Sequence, residues 1–340
     1  MGLFVLRYRE VISVTCTTTV TATTQKPSLS PAVAAARVSI LMCTYNGDRF
    51  IAEQLASLER QTHKNWTLAV SDDGSQDQTI EVLETFTGHW ASGRVKILAG
   101  PGKGFASNFL ALTAKEDINA DYYAWSDQDD VWREDKLQTA LAWISTIPQE
   151  TPALYCARCQ IIDDIGANKG FSPLFIRPPH FSNALVQSIA GGNTMVFNQA
   201  ARRLLQEAGS EITVPSHDWW AYLLISGAGG VIHYDPQPRV MYRQHNANLI
   251  GSNVTWCARL KRIRMVFQGR FTHWNAQNIS ALETMRHRLK QEHIQRLADF
   301  KAAQNQSLLQ RFSSVWRAGL HRQTHLQNLA LVLAVLFKKI

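Results

Sequence analysis

From Arg37 onward the chain switches repeatedly between two hydrophobic periods. Val38–Tyr45 (VSILMCTY) is an unbroken, β-rich apolar run, the pattern of a strand buried on both faces. After the turn Asn46-Gly47-Asp48, residues Ile51, Leu55 and Leu58 recur at helical spacing and predict a helix to about Gln61. Trp66–Ser71 reads as a second strand. The polar turn DDGSQDQT then opens a helix carrying Ile80, Leu83 and Phe86. Val95–Leu98 is a third strand, followed by a glycine-rich loop and a helix from Phe105 to Ala114. Asp121–Ser126 is a fourth strand, followed by a helix from Glu134 to Thr146.

Four strand–helix alternations with short connections predict an α/β fold, a mostly parallel sheet with helices on both faces. The second half is less regular. Strands are expected near Ala153–Ala157, Thr194–Phe197, Val231–Tyr234 and Arg239–Tyr242, and helices near Gln199–Ala208, near Asp218–Ile225 and from Ala258 onward. The expected organisation is a poorly ordered leader at 1–36, rich in Thr and Pro, and a main domain at 37–252 divided near residue 147. A basic helical region at 253–340 follows.

Composition narrows this picture. Of 340 residues 45% are hydrophobic and 18% charged, which excludes a disordered or disulfide-dense chain. The formal charge of +8 is unevenly placed: residues 259–322 hold 13 Lys and Arg against 3 Asp and Glu, whereas residues 1–258 are slightly acidic. That contrast points to a basic surface beside an acidic body. Five cysteines, an odd number, argue for a reducing compartment. The single CxxC, Cys156 and Cys159, sits in an expected strand and reads as two half-buried thiols before it reads as a zinc site. No run of about 18 apolar residues occurs, so no spanning helix is expected.

Ligands of parallel sheets bind at the carboxyl ends of the strands, and the acidic residues cluster there. Asp127, Asp129 and Asp130 follow strand four in SDQDD. Carboxylates packed this closely repel, and a hard cation such as Mg²⁺ or Mn²⁺ would relieve them, with ligand phosphates completing its shell. A solvated, helix-capping turn is the competing reading of that cluster taken alone. Asp72 and Asp73 end strand two, where a carboxylate can accept a base imino N–H or a ribose hydroxyl. Asp77 reads as a helix cap. The loop GPGKG lacks the P-loop pattern, yet Lys103 in it could approach a diphosphate.

Taken together, VSILMCTYNG, IAEQLASLERQT, WTLAVSDDGSQDQT, GKGFASNF and YYAWSDQDDVW resemble the nucleotide-binding half of family 2 glycosyltransferases of the GT-A fold, over roughly residues 37–147. GGNTMVFN, HDWWAYL and YRQHNANLIG are similar to the bacterial rhamnosyltransferase-like subgroup. The resemblance implies a metal-dependent inverting transfer of one sugar from a nucleotide-diphosphate donor, dTDP-rhamnose or a UDP-hexose. The implied acceptor is a glycan or lipid-linked acceptor of surface polysaccharide synthesis. The QxxRW motif of processive synthases is absent.

By the same resemblance Tyr45 lies near the base, Asp72 and Asp73 bind base and ribose, and Asp127-Gln128-Asp129 is the DxD motif with Asp129 as metal ligand. Asp218 is the catalytic base. His217 stands where the family has Glu, and Cys43 where it has Thr or Ser. Gly192 and Asn193 are expected to line the acceptor or sugar pocket, and Trp219 and Trp220 to stack on a sugar or fill the core. Arg243 is expected at phosphates, and His245 at the metal or the diphosphate. Asp163 and Asp164 are fallback bases.

Two other readings remain at this point. A sugar-1-phosphate nucleotidyltransferase would place a basic Gly-rich loop after strand one, where Cys43-Thr44-Tyr45-Asn46 stands. A nucleic-acid-binding protein would use the basic region, but that region carries few interleaved aromatics, so no nucleic-acid partner is expected. Trp256–Phe267 alternates basic and apolar residues, and LALVLAVLFKKI is apolar but short. Both suit a peripheral membrane contact through 255–340, on the cytoplasmic face of the inner membrane.

Overall fold

The computed structural model describes residues 30–245 and 270–340. The segment 256–267, residues 246–252 and most of the expected leader therefore lie outside the described residues. The leader's last residues include a short helix, α1 (Pro31–Ala35), whose Ala35 carbonyl accepts from Asn65 Nδ2 at 2.6 Å.

The first half follows the alternation read from the chain. Strands β1 (Val38–Thr44), β2 (Trp66–Asp72), β3 (Val95–Ala99) and β4 (Tyr122–Ser126) alternate with helices α2 (Ile51–Glu59), α3 (Thr79–Thr87), α4 (Phe105–Ala114) and α5 (Lys136–Ile144). The order β3-β2-β1-β4 is parallel throughout. All seven residues of β1 are buried, because successive side chains enter opposite faces and both faces are covered. Val38, Ile40 and Met42 pack with α2 and α5, while Leu41 and Cys43 join a second core with α4.

The second half extends the sheet with β5 (Val131–Trp132), β6 (Ala153–Ile162), β7 (Asn168–Phe171), β8 (Val196–Asn198) and β9 (Val231–Arg243). Strand β8 runs antiparallel between β4 and β6, and β9 carries β5 at the far edge. The two strands expected at 231–234 and 239–242 are one. Its register against β6 shifts around Arg158, where Asp235 and Pro238 are successive partners. A proline supplies no ladder N–H, so the bulge absorbs PQP without ending the strand. Strands β5 and β7 have two and four residues, too few to show a period. Cys156 and Cys159 lie buried and unbridged in β6, with burial raising both thiols.

Helices α6 (Phe181–Ala184), α7 (Gln199–Ala208) and α8 (His217–Gly227) cover the face that α4 shares. Ten of the eleven residues of α8 are buried. The remaining helices are α9 (Arg270–Thr284), α10 (Gln291–Asn305), α11 (Leu308–Arg317) and α12 (His325–Leu336). They join this same core through Leu282, Leu297, Phe300 and Val335. Polar ties reinforce the junction: Lys290 N donates to Gly227 O at 3.0 Å, and Ser182 Oγ to Ala318 O at 2.7 Å. No described helix is long and apolar enough to cross a membrane.

One side chain joins three parts of the second half. Asn198 Oδ1 caps α7 through Ala201 N and also accepts from Ala153 N of β6, both at 3.0 Å, while its Nδ2 donates to Thr151 O at 2.8 Å. Asn198→Ala removes a helix cap and leaves buried backbone groups unpaired. We expect a loss of about 2 kcal/mol or more in urea unfolding. A loss within about 0.5 kcal/mol, the range of an ordinary surface change, would show that the junction does not depend on it.

Candidate active site

The carboxyl ends of β1, β2 and β4 lie side by side and present their loops to one cleft. The loop after β1 is shaped by Asn46, whose φ of 48° is tolerated because its Oδ1 accepts from Gln76 N at 2.8 Å. Tyr45, 57% exposed, stands at its rim. The backbone of Tyr45 and the carboxamide of Gln128 form a reciprocal pair, at 2.8 and 2.9 Å, that joins this loop to the acidic one. A Cβ at Gly47 would stand 2.3 Å from Gln128 Cδ, so a larger residue there would displace the Gln128 side chain from this pair. Gln128, a spacer to sequence reasoning, is a structural clamp.

At the end of β2 the two aspartates have separate tasks. Asp72 accepts from Thr44 Oγ1, from Ser75 Oγ and N, and from Gly74 N. With four donors it closes the turn, which corrects its expected role at base or ribose. Asp73 accepts from Gly102 N and Gly104 N, both at 2.7 Å, and so holds the glycine-rich loop beside the cleft. Each of its oxygens keeps a lone pair for a further donor. Lys103 is turned to Glu211, at 2.8 Å on the surface.

The acidic loop after β4 is divided between surface and interior. Asp130 is fully buried: Asn193 Nδ2 donates to its Oδ2, and Arg243 N donates to its Oδ1 at 3.1 Å. Lys136 is also fully buried, lies over the Trp132 ring and donates to Asn193 O at 2.8 Å. Burial pushes the Asp130 carboxyl up and the Lys136 ammonium down, the latter partly offset by the Asp130 charge. Asn193 and Gly192 are thus buried supports, which corrects their placement in an acceptor pocket. Arg243 is 1% exposed. Its guanidinium donates to Asp129 O at 3.0 Å, to Asp164 O at 3.2 Å and to the Glu53 carboxylate, and lies over Phe50. It braces the loop, which corrects its expected contact with phosphates.

Asp129 lines the cleft, and Asp127 lies beside it in the chain, partly buried. Burial, then the charges of Asp129 and Asp218, push Asp127 up to about 7. His245 Nε2 lies 2.8 Å from Asp129 Oδ2. Beside this pair a cavity of about 410 Å³ is bounded by Arg49, Phe50, Gln128 and Asp164. Among the described residues no group of three or more His, Cys, Asp or Glu forms a ready-made metal cage. The donor set nevertheless fits a hard divalent cation. One carboxylate and one imidazole converge, excess negative charge is present, and the remaining positions are open to ligand oxygens.

Asp218 comes from the other half of the chain, in the first turn of α8. It accepts from Ser216 Oγ, from Trp219 N at 2.6 Å and from Gly192 N. Burial raises its pKa and these hydrogen bonds oppose the rise. The fold therefore brings Asp218 within electrostatic reach of Asp127. Trp219 and Trp220 are core residues, Trp219 donating Nε1 to Ala184 O at 2.6 Å, so the expected sugar stacking by Trp219 is corrected. His217 is buried, stacked on Phe109 at 4.0 Å with Trp125 edge-on at 4.7 Å, and neither ring nitrogen has a hydrogen-bond partner among the described residues.

Against known proteins, the family described as Glycosyl transferase family 2 matches residues 39–203. A dTDP-rhamnosyl transferase, RfbG of Shigella flexneri, is 28% identical over 239 residues, 66% of this chain and 78% of that one. The Escherichia coli protein WfgD is a UDP-Glc:alpha-D-GlcNAc-diphosphoundecaprenol beta-1,3-glucosyltransferase. It is 35% identical over 107 residues, 31% of this chain and 40% of that one. Among solved structures, residues 1–349 of S. aureus TarS superpose with a TM-score of 0.49 at 13% identity, over 83% of this chain and 90% of that one.

His217 makes stability depend on pH. Burial pushes its pKa down to about 3, so the folded protein keeps it neutral while the unfolded chain protonates it below about 6.5. Its stabilising contribution is complete above about 6.5 and is lost as the pH falls toward 3. Between pH 7 and pH 5 the wild type should lose about 2 kcal/mol more than His217→Leu, measured by urea unfolding at each pH. Parallel pH profiles for the two proteins would contradict a buried neutral imidazole.

Proposed function

The chain carries a family 2 glycosyltransferase domain, and on that premise we propose that it transfers one sugar from a nucleotide-diphosphate donor to an acceptor hydroxyl, with inversion at the anomeric carbon. The observation that carries the proposal is the convergence of Asp127 and Asp129, at a strand end of the first half, with Asp218 at a helix start of the second. One set can hold the leaving diphosphate through a cation, and the other can take the acceptor proton. The likeness to a dTDP-rhamnosyl transferase favours dTDP-rhamnose as donor, with a UDP-hexose as the alternative. The acceptor in this reading is a glycan or a lipid-linked saccharide, met at the cytoplasmic membrane surface.

Each residue has a task in that reaction. Tyr45 offers an exposed ring to the base, and Asp73 keeps the glycine-rich loop against it. Asp129 and His245 are the residues to hold Mg²⁺ or Mn²⁺, which when bound supplies Lewis-acid stabilisation of the charge on the departing diphosphate. Asp218 accepts the acceptor hydroxyl's proton as that oxygen attacks. Its raised pKa makes it a better base than a solvated aspartate, and Ser216, Trp219 N and Gly192 N fix its orientation. Attack from the side opposite the leaving group inverts the sugar in a single displacement.

Two substitutions separate these tasks. Asp129→Ala should abolish the manganese-dependent part of donor binding, read by titrating labelled dTDP-rhamnose and UDP-glucose with and without the metal. Metal stimulation equal to wild type would remove Asp129 from the site. Asp218→Asn keeps the shape and much of the capping but cannot take a proton. Donor affinity should stay within a few-fold while transfer falls by roughly 10²–10⁴. Transfer within a few-fold of wild type would place the base elsewhere.

A further inference from the structure

Helix α11 buries polar groups and exposes apolar ones, and helix α12 is apolar on both its buried and its exposed side. α11 buries Arg311 and Ser314 and turns Leu308, Leu309 and Trp316 outward, Leu309 being 84% and Trp316 86% exposed. The Arg311 guanidinium works from inside, donating to Ala303 O at 3.2 Å, Gln306 O at 2.8 Å and Val335 O at 2.6 Å. It thereby ties α10, α11 and α12 together. α12 contains no Asp, Glu, Lys or Arg. It sends Leu331, Ala334 and Val335 into the core and leaves Leu326, Leu329, Val332, Leu333 and Leu336 exposed. Between the two helices lies an apolar groove of about 390 Å³.

Single exposed leucines need no explanation, but a contiguous patch does. Of the fifteen large apolar residues exposed among the described residues, nine fall between Leu308 and Phe337. Charge identifies what covers them. Residues 300–340 contain no Asp or Glu, while Arg317, Arg322, Lys338 and Lys339 belong to the same segment. A second copy seated on this face by a two-fold axis would oppose like charges without a carboxylate from this segment to pair them. Arg317 is paired with Asp299 of α10 at 3.0 Å, while Lys338 and Lys339 follow directly on the apolar helix α12, and such a lysine-edged apolar face fits an anionic amphiphilic surface.

We propose that the α11–α12 face docks on an anionic lipid leaflet, with the helices in the plane of the interface. Leu309, Trp316 and Leu329 enter the boundary of the acyl region, and Lys338 and Lys339 reach the headgroups. This deepens the reading of a membrane-surface acceptor by assigning the surface. It is tested without donor or acceptor, so its failure would leave the transfer reaction untouched, and failure of the transfer would leave the docking untouched.

The test is flotation of the full chain with vesicles of phosphatidylcholine alone, or with a quarter phosphatidylglycerol, at low and high salt. Binding is expected to the anionic vesicles and to weaken with salt. Lys338→Gln with Lys339→Gln should lower partitioning roughly 25-fold, at about 1 kcal/mol per charge. The triple variant Leu309→Ser, Trp316→Ser, Leu329→Ser alters only exposed side chains, and an unchanged thermal melt checks that it folds. It should lose binding. Brominated acyl chains should quench tryptophan emission in the wild type and much less in Trp316→Phe. No binding to anionic vesicles, or binding undiminished in the triple variant, would overturn the proposal. So would a dimer in sedimentation that the triple variant abolishes, since a second copy would then be the occupant.

Discussion

Three carboxylates within four positions cannot lie together at a strand end unless something holds them, and here the holder is buried. Arg243 sits under the acidic loop, its guanidinium on the Asp129 and Asp164 carbonyls and on the Glu53 carboxylate, its backbone N–H on Asp130. Asn193 bridges Asp130 to the buried Lys136. Removing one partner from such a network leaves an uncompensated buried charge, a cost of about 3–5 kcal/mol. The network draws on α2, α5, the turn before β8 and the end of β9, so the loop's shape depends on the whole sheet having closed.

That arrangement divides labour among chemically identical groups. Asp130 and Asp72 are consumed by internal hydrogen bonds and fix geometry. Asp129 borders the cleft cavity beside His245, while Asp218 is held by Ser216, Trp219 N and Gly192 N within electrostatic reach of Asp127. Pockets of enzymes commonly separate orienting from reacting carboxylates through environment alone.

Helix α8 links the two ends of the molecule. Its first turn carries Asp218, its middle fills the core, and the carbonyl of Gly227 at its end accepts from Lys290 N and lies 2.8 Å from His293 Nδ1. Helix α10, which precedes the proposed docking face and is tied to it by Arg311, is therefore packed on the element that carries the proposed base. A buried helix with no polar face moves as a unit, so the orientation of the chain on a surface would fix the direction in which the cleft opens.

Much of this was legible along the chain. Period and turn chemistry located β1 to β4 and α2 to α5 within a few residues, because those elements are long enough to repeat their pattern. The motif SDQDD and the placement of Asp218 at the start of an apolar helix pointed to the residues proposed here as metal ligand and base. Their assignment rests on residue type, which a sequence displays directly. What tertiary structure alone decided was the job of each polar side chain near them. Asp72, Gly192, Asn193, Lys103, Trp219 and Arg243 look like ligand-binding residues in sequence, yet their partners are 28 to 190 positions away or in a turn that closes on itself. Burial and hydrogen-bond partners are properties of the closed sheet, and no local pattern records whether a carboxylate will meet a ligand or a backbone N–H.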